Sequence, residues 1–357
     1  MRILLLGDIR PAHLKRWRDY FRAEEHDVMV VSLEEDASDN DYVCISSKVP
    51  VQAFKYYLKK NAVHEIISRF KPDILNAHFV PSYGVLGVAT GFHPLVVTLW
   101  GSDILVSPHK SRLHRARALW VLRHCDLVTS DSMYMTHEAR NLGKFDTEIV
   151  TEPMGIPRSA LDRLERQNAS FDSDELVILS TRRLEPLYRV DTLINALRNV
   201  REKLRPFKCV ICGDGPERAR LESMARSCNL DEVNFVGWKS SDEYLDLISN
   251  ADVYVSCSES DSTSVSLLEA MASGALPVVS DIPGNREWVK DGESALMFPV
   301  GDADALASRL LQAVTDRELR TGATLINRSA VESRAVWEEN MNAIEGAFEE
   351  LVAKTRE

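Results

Sequence analysis

The chain has 357 residues, 45% of them hydrophobic and 27% charged, a composition of soluble globular proteins with length for two domains. No apolar run approaches the roughly 18 residues needed to span a bilayer, and the opening MRILLLGD meets Asp8 too soon for a signal peptide. The net charge of −11 is uneven: residues 1–150 carry 19 Lys/Arg against 18 Asp/Glu and the remainder 24 against 36, which argues against nucleic acid as the main partner.

Apolar runs alternate with helical patterns along the chain. Strands are expected at 2–7, 27–32, 73–77, 95–99, 126–130 and 147–151, with helices between them, among them 13–24 and 52–70. The stretch 109–124, HKSRLHRARALWVLRH, holds Lys110, Arg112, Arg115, Arg117 and Arg123 and no acid. It suits a solvated helix face equally with contact to an anionic membrane or substrate. A polar segment with two prolines, 152–175, reads as a linker, after which the pattern restarts. Strands are expected at 176–181, 207–213, 233–236, 252–257, 277–280 and 295–298. Helices are expected at 191–204, 215–228, 241–249, 264–273, 284–290 and 303–315. After about residue 330 an amphipathic terminal helix follows.

Short Val/Ile/Leu-rich strands separated by helices imply parallel sheets covered on both faces. The expected fold is α/β: two doubly wound, Rossmann-like domains facing across a cleft, which is then the default ligand site. The expected division is an N-terminal domain 1–155, a linker 156–175, a C-terminal domain 176–332, and a helix 333–357 packing back on the first domain. A dinucleotide-binding dehydrogenase is disfavoured, because GDIRPAH and GDGPERA both fail the G-x-G-x-x-G spacing, and no Walker loop appears. Cys209 and Cys212 form a CxxC inside a strand, where odd spacing sends them to opposite faces. No second CxxC or His pair completes a zinc site, so no metal is expected.

Two segments carry candidate chemistry. In SESDSTSVSLLEAMASG (258–274) a strand ends, a Ser/Thr turn follows, and a helix starts near Ser264 and stops at Gly274. The N–H groups at 264–266 and the helix dipole make an anion site suited to phosphate. Glu269 could reach a ligand over that terminus and accept two hydrogen bonds from a sugar diol, with Asp261 facing the ligand beyond the phosphate. Equally, Ser266-x-x-Glu269 could be a capping box and Asp261 an ordinary turn acid. In STRRLEPLYRVDTL (180–193), Arg182, Arg183 and Arg189 follow a strand's carboxyl end, where cations could neutralise a diphosphate or simply sit on the surface.

Taken together these segments resemble the GT-B-fold retaining glycosyltransferases of family 4 type, over almost the whole chain. LLEAMASGALPVVSDIPGNREWVKDGESALMFPVGD (267–302) is similar to the family's C-terminal donor motif nearly residue for residue. STRRLEPLYRVDTL resembles its Arg…Lys loop, GDGPERARL its second strand-turn-helix, and VNFVGWKSSDEYLDLISNADVYVSCS its base pocket and following strand. HLKRWRDYFRAEEHDVMVVS and VVTLWGSD are similar to its first helix and acceptor-side loop.

The resemblance implies a nucleotide-sugar donor bound mainly by the second domain. Glu269 then holds the ribose hydroxyls, Asp261 faces the donor sugar, Arg183 binds phosphate, and the N–H groups of Ser264 and Val265 meet the diphosphate, with Ser262 and Thr263 in the same turn. The base lies against the backbone at Val236–Trp238. No metal or other cofactor is implied, because the arginine and the helix terminus stabilise the leaving group. Anomeric configuration is retained by same-face attack.

Three departures from the family's pattern stand out. Asp261 replaces a longer glutamate in a turn that is usually glycine-rich. Tyr188 replaces a lysine, with Arg189 beside it, so phosphate binding is expected to lean on Arg183 and Arg189. Trp100 replaces a histidine in the acceptor-side loop, whose neighbours are Gly101 and Asp103. His78 is then a candidate for part of that histidine's role, and Arg10 and His13 are candidates for acceptor contact.

The implied function is a retaining, metal-independent transfer of a sugar from a nucleoside-diphosphate sugar to a glycan or lipid-linked acceptor. It belongs in cell-envelope polysaccharide or glycoconjugate assembly, in the cytoplasm or at the membrane's inner face. The alternatives are a nucleotide-sugar-binding protein with lost or altered transfer, and a GT-B-fold epimerase.

Overall fold

The computed structural model describes residues 1–46, 55–164, 175–204 and 206–356. These form two compact units, Met1–Glu152 with Met341–Glu357, and Pro153–Asn340.

The first unit is a seven-stranded sheet: β1 Arg2–Leu6, β2 Asp27–Ser32, β3 Val43–Cys44, β4 Ile74–His78, β5 Leu95–Thr98, β6 Leu127–Ser130 and β7 Glu148–Thr151, in the order β3-β2-β1-β4-β5-β6-β7. Every pairing is parallel. The four central strands β1, β4, β5 and β6 are buried almost throughout, which is why they read as continuous apolar runs rather than alternating ones.

Serine caps start the helices Arg112–Arg123 and Met133–Asn141: Ser111 and Ser132 accept from the N–H groups of His114 and Met135. The helix expected at 52–70 is the helix Lys60–Phe70 preceded by a 3₁₀ turn at Tyr57–Lys59, and positions 52–54 fall outside the described residues. The terminal helix Trp337–Arg356 packs on the helix Ala12–Ala23 through residues of the first unit. Phe348 stacks on Phe21 with centroids 5.6 Å apart, and Glu345 accepts from Tyr20 at 2.9 Å and pairs with His26 at 2.6 Å.

The second unit is a six-stranded sheet: β8 Leu176–Ser180, β9 Phe207–Cys212, β10 Val233–Gly237, β11 Val253–Ser256, β12 Leu276–Ser280 and β13 Leu296–Phe298, in the order β10-β9-β8-β11-β12-β13. Its pairings are likewise all parallel. Phe207, Cys209 and Ile211 enter the core on one face, Val210 and Cys212 the core on the other. The two thiols of the CxxC therefore point apart, and burial pushes that of Cys209 up to about 12.

Three stretches differ from the sequence expectation. The linker is not free over its first half: Ile156, Leu161 and Leu164 are buried in the second unit's core around a short helix, Arg158–Arg163. Ile156 is also bridged to Ala335 and Trp337 by backbone hydrogen bonds of 2.8 and 2.9 Å. Its polar composition conceals three well-spaced apolar anchors. The expected helix 284–290 is a single turn, Pro283–Arg286. A long helix, Arg317–Arg334, fills a region where no element was expected.

Both sheets reverse direction of winding next to their first strand. β1 lies between β2 and β4, and β8 between β9 and β11. Loops leaving the carboxyl ends on either side of such a point diverge and leave a crevice for ligands.

Candidate active site

In the second unit the loops after β8 and β11 bring together Arg182, Tyr188, Asp261, Ser264 and Ser266. The helix Val265–Ser273 begins at Ser264, whose side chain accepts from Leu267 N–H, and ends at Gly274 in the left-handed conformation with φ 82°. Ser264 is thus the cap, and Ser266 is already inside the helix. Its hydroxyl is occupied by Tyr254 at 2.8 Å and Arg182 at 3.2 Å. A Ser266–Glu269 capping box is therefore not what the structure holds.

Glu269, partly buried on the next turn, instead accepts from Tyr244 Oη at 2.5 Å. Burial, reinforced by the Glu269 charge, raises the Tyr244 phenol well above its ordinary value, so it stays protonated and donates. Tyr244 belongs to the helix Ser241–Ser249, which is fixed by a full capping box between Ser240 and Glu243. Glu269 is anchored through Oε2 by this bond.

Asp261 accepts from Ser262 N–H at 3.1 Å and from Arg182 Nη2 at 2.6 Å. Its turn is held from behind. Trp288 Nε1 donates to Thr263 Oγ1 at 3.3 Å, and a Cβ on Gly284 would fall 2.4 Å from the carbonyl oxygens of Asp261 and Ser262. The Arg182–Leu184 loop is held in the same way: Cβ atoms on Gly213 and Gly215 would strike the carbonyl oxygens of Arg182 and Leu184 at 2.5 and 2.4 Å. The glycines of GDGP thus serve close packing of the two loops.

The three arginines separate. Arg183 is exposed, with Nη2 2.9 Å from Glu185. Arg189, left-handed at φ 44°, donates to Glu259 at 2.7 Å and lies 3.5 Å from Asp191. Arg182, which the sequence reading passed over for its neighbour, turns inward onto the helix terminus, its guanidinium 4.4 Å from the Tyr188 ring centroid. Val236 is half-buried at the end of β10, and Trp238 beyond it is 64% exposed. Tyr244 had no role in the sequence expectation, and Arg182, one of three arginines that could meet a diphosphate there, was given none by the resemblance, which points to Arg183. A capping box in KSSDE marked the helix of Tyr244, but not its long-range target.

In the first unit the acceptor-side candidates gather near the carboxyl ends of β1, β4 and β5. Trp100 packs its ring on His13 and His78, with centroids 5.0 and 5.5 Å apart, and Trp17 meets His78 edge-on at 4.9 Å. His78 is 3% exposed, neither ring nitrogen has a partner among the described residues, and burial lowers its pKa to about 3. Such an imidazole is neutral at neutral pH, and the structure shows it packed between the Trp17 and Trp100 rings.

Asp103 is fully buried and accepts from the N–H groups of Trp100 and Val80 at 3.0 and 3.1 Å, clamping two loops. Burial raises it to about 6. Gly101 lies between them at φ 95°, a conformation natural to glycine. Arg10 is exposed and paired with Asp8 at 2.6 Å.

Two doubly wound parallel sheets, the second carrying a cation and a carboxylate at a helix terminus beside its switch point, define the GT-B architecture. Residues 2–132 match the family model described as glycosyl transferase 4-like, and 162–326 that of glycosyl transferases group 1. The chain belongs to the GT-B glycosyltransferases of family 4 type.

Among curated relatives, it is 23% identical over 272 residues to an N-acetyl-alpha-D-glucosaminyl L-malate synthase of Bacillus anthracis, covering 71% of this chain and 68% of that protein. It is 28% identical over 261 residues to a putative colanic acid biosynthesis glycosyltransferase of Escherichia coli, covering 69% and 62%. A lipopolysaccharide core biosynthesis glycosyltransferase of Rhizobium meliloti matches at 28% over 56% of this chain and 57% of its own length. Among solved structures, a sucrose-phosphate synthase from Thermosynechococcus elongatus superimposes with TM-score 0.83 at 18% identity, covering 99% of this chain and all of that one. Anabaena HepE, solved with UDP, gives 0.78 at 17% identity, covering 98% and 100%.

Proposed function

We propose that this protein transfers a sugar from a nucleoside-diphosphate sugar, held at the carboxyl end of the second unit's sheet, to a glycan or lipid-linked acceptor served by the first unit. The observation that carries the reading is Glu269, fixed by Tyr244 one turn into a helix whose N-terminus faces a largely buried arginine, Arg182. A carboxylate so placed accepts from a ribose diol while a diphosphate lies at the helix terminus. HepE was solved with UDP and also with UDP-glucose, which supports a uridine donor.

Retention and independence of metal are part of the proposal. Arg182 and the helix terminus offer the leaving diphosphate the positive potential that a metal supplies elsewhere. Relatives in colanic acid and lipopolysaccharide synthesis support a role in envelope polysaccharide assembly. No helix among the described residues is long and apolar enough to cross a membrane. The cytoplasmic face of a membrane remains the proposed location. Exposed Leu113 and Trp120 on the helix Arg112–Arg123, beside exposed Lys110 and Arg112, suit contact with anionic lipid. Sedimentation with phosphatidylserine vesicles tests this contact, and no binding removes it.

A second reading, nucleotide-sugar binding without transfer, is favoured by the neutral His78 beside Trp100. Thermal-shift measurement against UDP, GDP, ADP and their sugars, followed by product NMR, separates the readings. A transferase is stabilised by one nucleotide and yields a product of the donor's anomeric configuration. Binding without product supports the second reading, and no stabilisation by any nucleotide rejects both. Glu269→Ala is expected to lower donor affinity about tenfold or more, the scale of bonds to a charged acceptor, with the fold intact by circular dichroism. Loss of folding instead would make Glu269 structural.

A further inference from the structure

The resemblance leads one to expect the phosphate-binding charge at Arg183, with help from Arg189, but each is paired with acids of its own, Glu185 for one and Glu259 and Asp191 for the other. Arg182 is placed differently. Its side chain is 11% exposed. Nη1 donates to Ser264 Oγ at 2.5 Å and Ser266 Oγ at 3.2 Å, and Nη2 to Asp261 Oδ2 at 2.6 Å. The guanidinium lies over the Tyr188 ring, 4.4 Å from its centroid, a stacking that lysine could not match in shape. Burial alone would lower its pKa, but Asp261 and the neighbouring tyrosines outweigh this and hold it above the ordinary arginine value, so it is charged.

One donor remains. Nε is buried and has no acceptor among the described residues, an arrangement that is costly unless a ligand completes it. At the start of the 265–273 helix Leu267 N–H already donates to Ser264, whereas the N–H groups of Val265 and Ser266 have no carbonyl a turn earlier in the helix to receive them. Arg182 is tied to that terminus by its bonds to Ser264 and Ser266, and the glycines at 213 and 215 hold the backbone of the Arg182–Leu184 loop in place.

We propose that Arg182 is the diphosphate-binding cation of this chain, carrying the charge that Tyr188 does not, with the Tyr188 ring as its platform and Asp261 as its positioning acid. The inference rests on the nucleotide-sugar reading of the site. It turns the tyrosine at 188 from a lost charge into a moved one. It also gives Asp261 a first duty toward Arg182, for which an acid one methylene shorter than glutamate, lying 2.6 Å away, is of the right length.

Isothermal titration of the full chain with UDP and uridine, and with GDP and guanosine in parallel, tests the assignment. Arg182→Gln is expected to weaken binding of the diphosphate by about 30-fold, the scale of a charge-assisted bond to phosphate, while leaving nucleoside affinity unchanged. The double variant Arg182→Gln/Tyr188→Lys should regain about half of the loss on a logarithmic scale, which a merely structural role would not allow. If Arg182→Gln does not fold, Tyr188→Ala, which removes the platform, should show the same selective loss. Equal diphosphate affinity in wild type and variant, or equal losses for diphosphate and nucleoside, overturns the assignment while leaving the donor reading intact. Failure of the wild type to bind either diphosphate rejects the donor reading and the assignment with it.

Discussion

At the scale of single residues, the candidate site shows how much turns on which way a side chain leaves the backbone. Arg182 and Arg183 are adjacent in sequence, and composition gives no reason to choose between them. The choice is made by the loop after β8, which points one guanidinium at Ser264 and the other at solvent. The position of Glu269 one turn into its helix follows from helical spacing, but its bond to Tyr244, 25 residues earlier, does not, since only the tertiary fold joins them.

His78 is a polar residue at a strand end that the fold buries between two tryptophan rings. Its folded pKa of about 3 lies below the ordinary 6.5, so the unfolded chain binds the proton more readily. The stability it lends is complete above pH 6.5 and is lost as pH falls toward 3. Between pH 7 and 5 the loss is about 2 kcal/mol. Asp103, raised to about 6, acts in the other sense: its contribution falls as pH rises from 3.8 through 6. Comparing the wild type with His78→Phe cancels the Asp103 term. The variant is expected to gain about 2 kcal/mol over the wild type between pH 7 and 5 in urea unfolding. A difference independent of pH would mean that His78 titrates alike in the folded and unfolded chains.

At the scale of elements, the strands were the most legible part. Near-continuous Val/Ile/Leu runs bounded by helical periodicity have few structural readings other than a covered parallel sheet. Elements whose existence depends on a neighbour were harder. The turn Pro283–Arg286 is short because Asn285, buried, spends its side-chain amide on the Ser280 carbonyl. Gly284 is placed there by contact with the Asp261–Ser262 turn rather than by any helical preference.

A Cβ at Gly284, 2.4 Å from two carbonyl oxygens, cannot be accommodated without moving backbone. Gly284→Ala is therefore expected to cost about 1–3 kcal/mol, as overpacking does, and to weaken UDP binding by displacing Asp261. Gly322, inside the helix Arg317–Arg334 with nothing within 4 Å of its added Cβ, is the matched control. Gly322→Ala should stabilise by about 0.5–1 kcal/mol through helix propensity and leave binding unchanged. Equal effects of the two substitutions in urea unfolding would show that the 284 contact does not constrain the turn.

At the scale of the whole molecule, the chain's last helix belongs to two units at once. Its residues to Asn340 group with the second, and those from Met341 onward group with the first. In the first unit it brings Phe348, fully buried, and Ile344 and Val352, nearly so, against a surface that includes Phe21 and Tyr20. The sequence showed the helix as amphipathic, but periodicity cannot say which surface an apolar stripe covers.

Phe348→Ala is expected to remove about 3–5 kcal/mol from the first unit, the usual cost of a large-to-small change in a core. A ligand held by the second unit stabilises only what binds it. Calorimetry should therefore show the substitution lowering one transition while UDP raises another. If substitution and nucleotide instead move a single transition together, the two units unfold as one, and the terminal helix, continuous through both, is the element that would couple them.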